Sequence, residues 1–180
     1  MAKQRRVFEQ GHHRKFLVVV DESSEVESAL FYAALRISHT SGRLLLLYVI
    51  EPQEYQHWAG IRQVQLEEET NKAKALFRLM RRKLNNAGFE ALEHEEVILE
   101  GNKSEQIVKL IEDDEDVAIL VLGASTDPKG PGPLVSSIGS GQMAGNFNVP
   151  ITIVPGNLSL EDLKAFALAR PHAAGRFCRP

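Results

Sequence analysis

Three short apolar runs constrain this chain more than any other feature: Lys15–Asp21 (KFLVVVD), Leu44–Glu51 (LLLLYVIE) and Val117–Gly123 (VAILVLG). Each is almost unbroken Val, Ile or Leu, and each ends on a polar residue or glycine. A strand with one wet face alternates apolar and polar residues. A continuous run is covered on both faces, as in a parallel sheet sandwiched between helices. Open sheets of that kind bind ligands outside the carboxyl ends of their strands, where the strand order reverses. The run ends, Asp21, Val49 to Glu51 and Gly123, are therefore the first places to look for function.

Helical spacing fills the intervals. Val26, Ala29, Leu30, Ala33, Ala34 and Ile37 repeat along one face, with Ser23 or Ser24 as the expected cap and Ser41-Gly42 as the stop. Residues 63–87 read as a long charged helix whose apolar face holds Leu66, Ala73, Leu76, Phe77, Met80 and Leu84, ended by Gly88. A more polar strand at about 91–98 suggests a sheet edge with His94 exposed. Asn102 or Ser104 then opens a further helix. After Val117–Gly123 come a Gly/Pro-rich loop (124–133), an expected helix at about 136–147 and a last strand from Pro150 to Val154. Ser159 with Asp162 three residues on matches a helix-opening capping box, with Asp in place of Glu or Gln. The expected fold class is α/β: a doubly wound five-stranded parallel sheet of order 3-2-1-4-5, helices on both faces, plus a C-terminal helix. Asp21 and Gly123 then face each other across one crevice.

The expected organisation is a flexible basic arm (1–14), an α/β domain (15–156), and a C-terminal helix with a frayed tail (157–180). Lys3, Arg5, Arg6, Arg14 and Lys15 against Glu9 give the first 15 residues a charge of about +4, leaving about −7 on the rest of a chain whose net charge is −3. Glu112 to Asp116 is the densest acidic run. This balance argues against general nucleic-acid binding, and no apolar stretch is long enough for a membrane helix. With a single cysteine, Cys178, and no secretory leader pattern, a soluble cytoplasmic protein is expected. His12-His13 has no adjacent acidic or cysteine residue to make a metal site.

The most specific local feature runs from Gly123 to Ser140. Glycine at a strand end lets backbone approach a ligand, and Gly139-Ser140 would offer amides and a hydroxyl to a phosphate at a helix N-terminal end. The same composition also describes a plain connecting loop, and on the residues alone the two readings balance. Tyr55, His57 and Trp58 in the loop 52–62 present a comparable pair of readings, ligand stacking or cover for a core edge or partner. No GxxxxGK[ST] or G-x-S-x-G segment is present, so no catalytic residue is assigned and enzymatic turnover, such as a weak ATPase, is the least supported function.

The segments FLVVVDES, LLLLYVIEP, VLGAS…GS and NVPITIVP, in that order over roughly residues 14–155, resemble the universal stress protein family. The resemblance implies a pocket for ATP or a related adenine nucleotide, with Mg²⁺ entering beside a triphosphate. Asp21 matches the family's aspartate at the end of strand one, Val49 its valine at the end of strand two. Gly123, Gly139 and Ser140 match the outer positions of its G-x2-G-x9-G-[ST] loop. The middle departs: Thr126 stands where the second glycine belongs, and Gly139 follows Gly123 by sixteen positions rather than thirteen. Gly130 or Gly132 is the candidate replacement. Prolines 128, 131 and 133 remove N–H donors from that loop. The resemblance further implies a homodimer paired through the last strand (149–155). The alternative is an interaction module that no longer binds nucleotide and meets an unidentified protein through loop 124–133 or 52–62.

Overall fold

The computed structural model describes residues 5–7, 9–52, 59–139 and 144–167. Five parallel strands, β1 (Lys15–Val19), β2 (Arg43–Ile50), β3 (His94–Glu100), β4 (Val117–Ala124) and β5 (Ile151–Pro155), pair in the order β3-β2-β1-β4-β5. The expected sheet order is the observed one. Helices α1 (Val26–Ser38), α2 (Ala59–Asn86), α3 (Lys103–Asp113), α4 (Pro133–Gly139) and α5 (Leu160–Ala167) connect and flank the strands.

Alternate residues of each central strand feed two separate cores, which is why the runs are apolar throughout. Phe16, Val18, Leu44, Leu46 and Tyr48 face α1 and α2, together with Phe77, Met80 and Leu163. Leu17, Val19, Leu45, Leu47 and Val49 face α3 and α4, against Ile107, Ile111, Val135 and Ile138. β3 is an edge strand, as its polarity suggests, but it begins three residues later than expected. His94 there is only 24% exposed in its side chain, with Nε2 3.6 Å from Glu96.

Three local expectations are corrected. Neither Ser23 nor Ser24 caps α1. Glu25 occupies the cap position without a side-chain capping bond, and Asp21 closes the preceding turn by accepting from the Ser23 amide at 2.9 Å. α4 starts at Pro133, a residue suited to a helix's first position because its missing N–H would be unpaired there anyway, and it ends at Gly139. Ala144–Asn146, expected within that helix, form a 3₁₀ turn. The capping box at α5 forms as expected: Ser159 Oγ accepts from the Asp162 amide, and Asp162 accepts from the Ser159 amide and hydroxyl.

The basic arm finds its partner in the acidic run. Arg5 donates to the carbonyl oxygens of Ile111 at 2.6 Å and Asp114 at 2.8 Å, at the C-terminal end of α3. His12 Nδ1 lies 2.5 Å from Asp116, an acid more than a hundred residues away in sequence. Lys15 pairs with Glu95 and Asp114. Burial works to lower the Lys15 pKa, but the hydrogen bonds from Glu95 and Asp114 outweigh it and the net shift is upward. Among the described residues, no helix is long and apolar enough to cross a membrane.

Candidate functional site

The carboxyl ends of β1, β2 and β3 open into a cleft of about 400 Å³, walled on its far side by α2. Its floor is Val20, Val49 and Ile50. Its rim is acidic: Asp21, Glu22, Glu51, Glu68, Glu69 and Glu100 line it, with Arg62 and Lys103 as the cations. Much of that charge is already paired. Arg62 bonds Glu100 at 2.6 Å, and Lys72 reaches from α2 to Glu22 at 2.8 Å and Glu69 at 3.6 Å. Tyr48 donates to Glu69 at 2.9 Å; burial and that carboxylate together push its phenol up to about 12. The acidic wall suits a neutral, hydroxyl-bearing group far better than a polyanion, since each uncompensated like charge costs Coulomb energy in a half-buried site.

A second, narrower crevice of about 50 Å³ lies where the winding reverses, between the ends of β1 and β4. Val19, Asp21, Leu122, Gly123 and the Pro131-Gly132-Pro133 corner form it, so Asp21 and Gly123 do face one space. Asp21 and Lys103 alone line both this crevice and the larger cleft among the described residues. Asp21 Oδ1 holds the Ser23 amide, while Oδ2 lies 3.8 Å from Lys103 Nζ.

The loop between β4 and α4 spends its donors on itself. Ser125 N–H donates to the Pro131 carbonyl, Asp127 N–H to Ser125 Oγ, Lys129 N–H to Asp127 Oδ1, and Gly130 N–H to the Asp127 carbonyl. Residues 128, 131 and 133 have none to offer. A loop that cradles phosphates needs converging free amides, and this one has committed most of them internally.

A family model described as the universal stress protein family matches residues 12–155. The chain belongs to that family. Solved universal stress proteins share its fold at low identity. One from Lactobacillus plantarum is 19% identical, with a TM-score of 0.63 over 81% of this chain and 99% of that one. A universal stress protein in complex with cAMP is 19% identical, with a TM-score of 0.57 over 80% and 98%. One from Archaeoglobus fulgidus in complex with dAMP is 17% identical, with a TM-score of 0.55 over 79% and 98%. No curated protein sequence matches the chain.

For a universal stress protein the expected site residues are unevenly placed. Asp21 and Val49 come together on the larger cleft. Gly123 lines the crevice, but its lack of a side chain is also a packing requirement: a Cβ there would sit 2.6 Å from the Glu25 carbonyl carbon and closer still to its oxygen. Gly130 adopts a φ of +121° in a tight turn and lines neither space. Gly139 is the last residue of α4 rather than at a helix N-terminal end, and a Cβ added there would meet no heavy atom of the described residues within 4 Å. Ser140 and the aromatic residues Tyr55, His57 and Trp58 lie outside the described residues. Lys103 is not marked out by the sequence, where it is one lysine among many. Its position just past the end of an edge strand was the available signal.

Proposed function

We propose that this universal stress protein is a binding module for adenine nucleotides, with the nucleoside in the larger cleft. The observation that carries this reading is the meeting of Asp21 and Val49 on one cleft of about 400 Å³ at the strand ends. A carboxylate can accept from ribose hydroxyls or a base amine, and valine offers an apolar surface to a purine face. The complexes of relatives with cAMP and dAMP support the same ligand class. Titration of nucleotide-stripped protein with adenosine, AMP, cAMP and ATP, the last with and without Mg²⁺, tests it. Saturable binding of one ligand per chain, weakened about tenfold or more by Asp21→Ala, is the expected result. No binding of any of them at millimolar concentration refutes it.

A second reading, a protein-interaction module, has its own observation. Among the described residues β5 is paired on one side only, by β4, and Ile153 on it is 44% exposed, lining one groove with Phe166 of α5 at 77%. An open apolar strand edge is a pairing template, and the reading assigns it to a second copy of the chain through residues 149–155. Sedimentation across a concentration series tests this.

A further inference from the structure

Lys103 stands where the two spaces of the site join. Asn102 caps α3 by accepting from the Glu105 amide at 3.2 Å, and Lys103 is the first residue of that helix. Its Nζ is 3.8 Å from Asp21 Oδ2 and 4.0 Å from Glu51 Oε2, beyond hydrogen-bond length from either. The side chain is 23% exposed. The ammonium thus balances two carboxylates without a hydrogen bond to either, so none has to break when a phosphate engages it, while the same carboxylates weigh against each further phosphate.

Among the described residues it has few rivals. The amides of Ser125, Asp127, Lys129 and Gly130 are bonded within the loop, and three of its residues are prolines. Arg62, the other cation on the cleft, is bonded to Glu100. The crevice of about 50 Å³ has room for only a few water-sized groups, which suits one phosphate and not a chain of three.

We propose that Lys103 is the phosphate-binding residue of this site, holding a single phosphate at the junction of cleft and crevice, so that the protein selects adenine mononucleotides over both the nucleoside and the triphosphate. This rests on the nucleotide reading above. A charge-assisted hydrogen bond of this kind is worth about ten- to a hundredfold in affinity. Ligand size and loop chemistry then set the upper bound on phosphate number.

Binding constants for adenosine, AMP and ATP, measured on the wild type, Lys103→Met and Lys103→Arg at two salt concentrations, test the assignment. AMP binds the wild type more tightly than adenosine or ATP. Lys103→Met lowers AMP affinity about ten- to a hundredfold, changes adenosine affinity by less than about threefold, and removes the extra salt dependence of AMP; Lys103→Arg restores most of the loss. Should adenosine and AMP both bind but respond alike to Lys103→Met, or ATP bind most tightly, the Lys103 assignment is overturned and the nucleotide reading stands. Should neither adenosine nor AMP bind the wild type, both are overturned together. Thermal unfolding of each variant separates a folding defect from a binding one.

Discussion

Replacing Gly123 by alanine tests why a glycine stands at the end of β4. The added methyl would lie 2.6 Å from the Glu25 carbonyl carbon and 3.1 Å from its Cβ, and against its carbonyl oxygen. Ordinary carbon contacts are about 3.5–4.0 Å, so roughly 1 Å of movement is needed. The obstacle is backbone, and it is held from both sides. The Glu25 carbonyl accepts from the Ala29 amide at the first turn of α1, and Gly156 packs on the other flank, where its own Cβ would sit 2.6 Å from that of Glu25. Forcing such a contact costs about 1–3 kcal/mol, or a fall in Tm of about 2–12 °C for a domain of this size. Gly139→Ala is the matched control. It has open space around it and lies at a helix end, so alanine is neutral to stabilising by up to about 1 kcal/mol. Urea unfolding followed by circular dichroism gives both values, provided the denaturant slope stays constant. Equal stability for Gly123→Ala and the wild type, or an equal loss at the two positions, would refute the packing argument.

Arg5→Ala removes two charge-assisted bonds to the carbonyls of Ile111 and Asp114 and should cost about 1–2 kcal/mol; an unmoved urea midpoint would show that these two bonds contribute nothing to stability. Tyr48, with its folded pKa of about 12 above the ordinary phenol value of 10.0, adds stability that is fully present below pH 10 and lost as pH rises toward 12. Tyr48→Phe should flatten that part of the alkaline decline and remove a late-titrating phenol from the tyrosinate absorbance of the wild type. Ile153→Lys places a charge on the open edge of β5 and should convert a sedimenting dimer to monomer; a wild type that is monomeric at every concentration defeats the dimer proposal.

Strand order was legible because its determinants are local. A run such as LLLLYVI declares a strand buried on both faces whatever surrounds it, and helical spacing between the runs dictates parallel crossovers with a fixed hand. That Asp21 and Val49 share one cleft followed from the same logic, since the carboxyl ends of parallel strands lie together at one edge of the sheet. The glycine motif was a poorer guide. Gly139 has the right residue type and lies at the wrong end of its helix, because Pro133 starts α4 six residues earlier.

The alternation of strands and helices, the two-faced core, the family and the aspartate–valine pair are all written in the order of the residues. Which charges meet, and which donors remain free, emerges only once the chain has folded. Arg5 reaches the carbonyls of Ile111 and Asp114 across more than a hundred residues of chain, and Lys103 joins Asp21 only when β3 and β1 bring their ends onto one surface. Hydrophobic periodicity repeats every two or four residues and is present in any short window. An ion pair or a close backbone contact depends on where remote segments come to rest, and no local pattern encodes that distance.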